Sequence, residues 1–119
     1  MAMLVTAMLA ALIDCGDPKY QPPAIVVTFD PNFLPPASLN AAAIAGIAAD
    51  VANDSKNAGV NFSCVPATEC GTFTPSTIAS SVPTSYQAPD TVPTGGSVTV
   101  TATSVTDPTK SVSATITVD

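Results

Sequence analysis

Hydrophobic and polar residues alternate towards the end of the chain. Residues 97–103 read SVTVTAT and residues 110–118 read KSVSATITV, with a Thr-Asp-Pro-Thr turn sequence at 106–109 between them. Because successive side chains of a strand point to opposite faces, this period of two predicts two strands joined as a hairpin. The residues predicted to face inward are Val98, Val100 and Ala102 in the first strand and Val112, Ala114, Ile116 and Val118 in the second.

Shorter extended segments precede this hairpin. Residues 24–29, AIVVTF, are β-branched or aromatic and run into an Asp-Pro pair, which predicts a first strand. Residues 60–64 also alternate, with Val60, Phe62 and Cys64 on one face, and the Ser- and Thr-rich residues 76–86 are predicted to form a further strand. About six or seven short strands separated by turns predict an all-β fold, an immunoglobulin-like Greek-key β-sandwich.

One segment fits two secondary structures. Helix propensity alone favours a helix within the alanine-rich residues 38–55, and the apolar spacing at 43–52 fits both a helix and a strand. We predict a strand because the rest of the chain is strand, with Ile47, Ala49 and Val51 in the inner layer. Asp50 should then point outward, since an unpaired buried carboxylate is costly.

The chain opens with an apolar stretch that ends in a cysteine. The apolar run within residues 1–15 is too short to cross a bilayer as a helix and matches the centre of a secretory signal. Its Leu-Ile-Asp-Cys end resembles the lipobox of bacterial lipoproteins, and this resemblance implies a lipid anchor on Cys15. An ordinary cleaved signal or a retained apolar segment are the alternatives. The Pro-rich residues 16–23 are predicted to form a tether before a folded domain at 24–119.

The charge balance and two missing residue types narrow the possible functions. The net charge is −6, with three lysines, no Arg and no His. Nucleic-acid binding needs clustered Lys or Arg to neutralise phosphates, so we expect no nucleic-acid partner. Without His the chain lacks the commonest general base and metal ligand, and its loop acids match no EF-hand spacing. We therefore predict no catalytic residues, no metal site and no cofactor.

Cys64 and Cys70 form a pair with five residues between them. A zinc site needs more soft ligands than this pair provides, and a redox motif usually has two intervening residues and a positive environment. The remaining readings are a disulfide that closes a small loop or two free thiols. We predict the disulfide, which an exported location permits.

Four stretches of the predicted domain together resemble a known family. They are VANDSKNAGVNFSC (51–64), CGTF (70–73), SYQAP (85–89) and VPTGGSVTVTATSVTDPTKSVSATITV (92–118). As a set they are similar to bacterial immunoglobulin-like domains of the invasin or intimin type. The resemblance covers residues 24–119 and implies a seven-strand sandwich in exported envelope proteins, with no catalytic residues to carry over.

These patterns favour one function and leave others open. The leading hypothesis is a non-catalytic immunoglobulin-like module of the bacterial cell envelope, lipid-anchored or extracellular, that acts as a spacer, display or protein–protein interaction domain. Its partners would be other envelope proteins or copies of itself, and a lipid anchor would attach it to the membrane. The alternative is a filament subunit whose residues 24–29 pair with a sheet edge of another subunit. Carbohydrate binding would need an aromatic platform from Tyr20 and Tyr86, of which Tyr86 is expected in the core.

Overall fold

Residues 22–119 are described by a computed structural model of the protein. The predicted signal segment with Cys15, and most of the predicted tether, lie outside the described residues. The predictions made for them therefore stay predictions.

All regular secondary structure between residues 22 and 119 is β-strand. The strands are β1 (Val26–Phe29), β2 (Ser38–Leu39), β3 (Ile44–Ile47), β4 (Ala49–Ala52), β5 (Val60–Val65), β6 (Thr72–Thr74), β7 (Thr77–Ile78), β8 (Thr84–Gln87), β9 (Ser97–Ser104) and β10 (Ser111–Val118). This part of the chain contains no helix that could cross a membrane. The predicted all-β class is confirmed, although the strands are shorter and more numerous than expected.

The strands form two layers. One layer is a five-stranded sheet with the order β2-β10-β9-β5-β7, and the other contains a three-stranded sheet, β3-β8-β6, and a two-stranded sheet, β1-β4. Apolar side chains from all three sheets form a single buried cluster. The chain is therefore a β-sandwich, as its alternating pattern predicts.

The alanine-rich segment 43–52 is extended rather than helical. Its halves, β3 and β4, pair with different neighbours, β8 and β1. The break falls at Ala48, whose N–H donates to the carbonyl of Phe33 over 3.1 Å and whose carbonyl accepts from the N–H of Asp30 over 2.9 Å. The loop after β1 thus satisfies the backbone of Ala48, and the strand form buries Ile47 completely. Tertiary pairing overrides helix propensity here.

Three aromatic rings join the two layers. Phe62 of the five-stranded sheet stacks on Phe73 of the three-stranded sheet with ring centroids 5.3 Å apart, and Phe73 contacts Tyr86 at 4.9 Å. Such aromatic pairs stabilise a core beyond the area they bury.

The residues predicted to face inward are all buried at least in part. The fully buried ones are Ile47, Ala49, Val60, Phe62, Val98, Val100, Ala102, Ile116 and Val118, and the partly buried ones are Val51, Cys64, Val112 and Ala114. Asp50 is partly exposed and accepts a hydrogen bond from the Ser81 hydroxyl, 2.6 Å away.

The last two strands form the predicted hairpin. β9 and β10 pair antiparallel without interruption from Ser111 opposite Thr103 to Thr117 opposite Ser97. The first strand, β1, pairs along its whole length with β4 of the same chain.

The region around residues 76–86 departs from the single strand predicted there. It contains β7 and most of β8, separated by a loop that includes Pro83, and β7 pairs with β5 in one layer while β8 pairs with β3 and β6 in the other. Proline cannot donate to a strand ladder, so the chain leaves one sheet before it enters the next. The preceding strand, β6, is not predicted by the sequence pattern; it ends just before Pro75, and β7 begins two residues after that proline.

Candidate interaction surfaces

The predicted cysteine bridge closes one end of the sandwich. Cys64 of β5 and Cys70 are joined by a disulfide, with their Cα atoms 5.8 Å apart. Within the loop, the N–H of Glu69 donates to the carbonyl of Pro66, and the Glu69 carboxylate accepts from the N–H of Thr94 over 3.0 Å. The bridge thus fixes the end of β5 to the start of the segment that leads into β6.

Tyr86 connects this end to the core. Its ring is fully buried, and its hydroxyl donates a hydrogen bond of 2.6 Å to the carbonyl of Cys70. Burial raises the pKa of the Tyr86 hydroxyl, which keeps the proton on the oxygen and the donor in place. A ring without exposed area cannot stack on a bound sugar, so Tyr86 supplies no platform for carbohydrate.

Gly71 follows the bridge in a conformation that only glycine adopts easily. Its φ is +90°, and a Cβ added there would lie 2.1 Å from the carbonyl oxygen of Gln87. The backbones of the loop and of β8 can approach each other only because this position has no side chain. The sequence marks the glycine after Cys70 but not the close approach that requires it.

Two acidic side chains stabilise turns at the other end of the sandwich. The carboxylate of Asp54 accepts hydrogen bonds from the N–H groups of Lys56 and Ala58 and from the hydroxyl of Thr106. Partial burial pushes the pKa of Asp54 upward, but these hydrogen bonds outweigh it and hold the pKa below its usual value. Each accepted bond favours the ionised carboxylate, so Asp54 acts as a fixed acceptor that links the β4–β5 loop to the β9–β10 turn.

Asp107 has the same role inside the β9–β10 turn. The hydroxyl and the N–H of Thr109 donate to its carboxylate, and together with the nearby charge of Lys110 they lower the pKa of Asp107. Within residues 22–119, no group of three or more His, Cys, Asp or Glu side chains is placed to hold a metal ion.

An apolar patch covers part of the outer face of the three-stranded sheet. Gly46 leaves space on β3, and a Cβ placed there would lie 3.6 Å from the Phe33 ring and 3.8 Å from Pro83. Ile44, two residues earlier on the same face, is 65% exposed, and Phe33 is 39% exposed. We include the exposed apolar residues next to Phe33 and Pro83 in the chain and call the set the Gly46 patch: Phe33, Leu34, Ile44, Val82 and Pro83.

The sequence alone does not predict this patch. Its signals are a glycine at the centre of an alternating strand and a Phe-Leu pair just before Pro35. Neither pattern says which loop folds onto which sheet, so the juxtaposition becomes visible only in the structure.

The outer face of the five-stranded sheet has the opposite character. Its strands present hydroxyl and amide side chains at alternate positions, with one apolar exception at Val65. Neighbours on this face bond to one another, as in the 2.8 Å contact between the hydroxyls of Thr101 and Ser113 and the 2.9 Å bond from Thr77 to Asn61. The members are Asn61, Ser63, Thr77, Ser97, Thr99, Thr101, Thr103, Ser111, Ser113, Thr115 and Thr117.

The side of the sandwich between β1 and β10 is open. A groove of about 280 Å³ lies there, lined by residues 25–27 at the start of β1 and by 109–111 at the start of β10. Val112 and Ala114 of β10 point inward but remain partly exposed. This edge lacks a covering strand within the described part of the chain.

Comparison with known proteins gives no relative: no protein family, curated protein or solved structure matches the chain. The function must therefore be argued from the surfaces described above.

Proposed function

We propose that residues 24–119 form a non-catalytic, immunoglobulin-like module of the bacterial cell envelope, which acts as a spacer, display or protein–protein interaction domain. The observation that carries the proposal is the Gly46 patch, where the partly exposed Phe33 approaches Gly46 and Ile44 is exposed two residues earlier on the same strand. Clustered apolar area on the surface of a soluble domain usually marks a contact site for another protein.

The state of the acidic side chains supports a non-catalytic role. A general acid or base working near neutral pH needs a pKa close to that pH. The pKa values of Asp54 and Asp107 are instead lowered, and their carboxylates are occupied by hydrogen bonds within turns. These groups stabilise the fold in the ionised form.

The disulfide supports an exported location, because such bonds persist in oxidising compartments. A lipid on Cys15 would attach the module to the membrane, and the tether would hold the sandwich away from it. The intact mass of the protein from its native cells tests the attachment. It reports whether residues 1–14 are removed and whether Cys15 carries acyl chains.

A filament built by strand donation has less support. The segment predicted as the donor strand, β1, is paired with β4 throughout, and its Val27 is buried in the core of its own domain. Donation to another subunit would have to break this pairing first.

Site-specific crosslinking tests the interaction role. A photo-crosslinking amino acid at Ile44 should give one defined adduct in the envelope fraction of the native cells. The same amino acid at Ser63, which is exposed on the opposite outer face, should not give this adduct and serves as the control. Recovery of the protein in the cytoplasm, or equal crosslinking from both positions, would overturn the proposal.

A further inference from the structure

The hydrogen-bond pattern of β10 leaves one of its edges open. Lys110 accepts from the N–H of Ser104 over 3.0 Å, and Val118 donates to the carbonyl of Gly96 over 2.9 Å. Because backbone groups alternate along an antiparallel strand, the even-numbered residues of β10 bond to β9 and the odd-numbered residues point away from it. The odd-numbered Thr117 accordingly donates to Ala37, beside β2.

β2 covers only the end of that edge. It pairs with β10 at Thr117 and Val118 alone. Among the described residues, the backbone groups of Ser111, Ser113 and Thr115 therefore face away from β9 without a hydrogen-bonded strand beside them; β1 lies near β10 but forms no ladder with it.

Several of the other sheet edges are protected by flanking prolines, which the middle of β10 lacks. Proteins protect exposed edges by making them short or by placing Pro, Lys or a bulge on them. β1 is flanked by Pro22–Pro23 and Pro31, β2 follows Pro35–Pro36, and β6 ends at Pro75. The open stretch Ser111–Ile116 contains no Pro and no charged residue, and its register with β9 has no bulge.

We propose that β10 is a self-association strand, which pairs antiparallel with β10 of a second copy around a two-fold axis at Ser113. In this register Ser111 lies opposite Thr115 of the second copy on the outer face, and Val112 lies opposite Ala114 of the second copy on the inner face. Hydroxyls meet hydroxyls and apolar side chains meet apolar side chains, so the edge is complementary to itself. The inference stands independently of the proposed envelope function.

The geometry of the hairpin allows this pairing. β10 of the second copy begins at Ser111, and the chain before it turns away at 106–109 towards β9. The paired segment of the second copy therefore ends before the position at which β2 pairs with Thr117. The two Lys110 charges would lie about 20 Å apart along the paired strands, at about 3.3 Å per residue. This distance exceeds the Debye length of about 8 Å at physiological salt, so their repulsion is screened.

The pairing would form about six backbone hydrogen bonds and cover the exposed parts of Val112 and Ala114. It joins the five-stranded sheets of two copies into one continuous sheet. Because the contact is isologous, it closes as a dimer and does not propagate into a fibre.

Sedimentation of the full-length chain over a range of concentrations tests the proposal. We expect a reversible dimer. Ser113→Pro removes an N–H that points away from β9, together with the hydroxyl that contacts Thr101, so it should weaken the dimer at least about tenfold while the fold is kept. Ser113→Ala retains that N–H and should change the dimer less than about twofold.

Amide hydrogen exchange gives a second readout that requires no variant. The amides of Ser111, Ser113 and Thr115 should become protected only at concentrations where the dimer forms, and those of Val112 and Ala114 should be protected throughout. A monomer at every concentration, or a dimer that leaves the three odd-numbered amides unprotected, would overturn the proposal. Protection of these amides at all concentrations would also overturn it, because the edge would then be covered by the chain itself.

Discussion

Replacing Tyr86 with Phe would remove one hydroxyl and almost nothing else. The ring has no exposed area, and its contact with Phe73 at 4.9 Å does not involve the oxygen. The hydroxyl donates to the carbonyl of Cys70, a residue that is itself only 3% exposed. The variant therefore leaves a buried acceptor without its donor, next to the disulfide.

The expected loss follows from that burial. A typical internal hydrogen bond contributes about 1 kcal/mol, and a buried polar group left without a partner costs about 1–3 kcal/mol. We expect Tyr86→Phe to lower the free energy of unfolding by about 2 kcal/mol. For a domain of this size, each kcal/mol shifts Tm by about 4–8 °C, so the melting temperature should fall by roughly 10 °C.

Urea denaturation followed by far-ultraviolet circular dichroism, with the disulfide intact, measures this difference. The slope of the free energy against urea should not change, because the same surface is exposed on unfolding. Ser85→Ala provides the matched control, since it removes a hydroxyl from the adjacent, exposed position of the same strand. The control should cost less than about 0.5 kcal/mol, as is usual for surface positions.

A Tyr86→Phe variant as stable as the Ser85→Ala control would refute the reasoning. It would mean that the Cys70 carbonyl finds another donor, such as water, and that the bridge is not held to the core through Tyr86.

Three further outcomes follow from the structure. Gly71→Ala should lower the free energy of unfolding by more than about 3 kcal/mol, because the new Cβ meets a backbone carbonyl. Gly95 has a similar φ of +91°, but a Cβ added there has nothing within 4 Å, so Gly95→Ala should cost only about 1 kcal/mol. Reducing the disulfide should lower stability on the order of 2 kcal/mol, by the loop-closure entropy of so short a loop, and thermal melts with and without reductant measure it. The pKa of Asp54 is lowered from 3.8, so the stability that its ionised form contributes is fully present above that pH and is lost as pH falls from 3.8 through the folded-state pKa; acid titration should show a shallower loss of stability for Asp54→Asn than for the parent over this pH range.

Each of these outcomes has a result that would contradict it. Equal losses for the two glycine variants would show that φ alone, and not the approach to β8, decides the cost. An unchanged melt after reduction would show that the loop stays closed without its bridge. Parallel acid titrations of the Asp54 variant and the parent would assign the acid sensitivity to other carboxyl groups.

How far the sequence predicts the fold depends on the kind of signal. The hairpin of β9 and β10 follows from strict alternation, because a strand that buries one face must place its apolar residues at every second position. The extended state of residues 43–52 does not follow from propensity, and it is predicted only because a sandwich needs a strand there. Its division at Ala48 could not be predicted, since it depends on hydrogen bonds from a loop more than ten residues away in the chain.

The candidate surfaces were less predictable than the core. The disulfide has a local signal, a pair of cysteines around a short loop. The Gly46 patch has none, because it joins Phe33, Ile44 and Pro83 from three separate segments. The role of Asp54 likewise depends on Thr106, which the chain brings to it only through the packing of the β9–β10 turn.

The sequence by itself determined that this chain folds into strands with one buried face and that Cys64 and Cys70 are close enough to bridge. These properties depend on period, spacing and composition, which are local. The tertiary structure alone decided which strand edges are covered, which loops lie on which sheet and which apolar residues stay exposed. Those properties arise from contacts between segments that are distant in the sequence. The side-chain pattern of one strand does not specify which other strand its backbone pairs with.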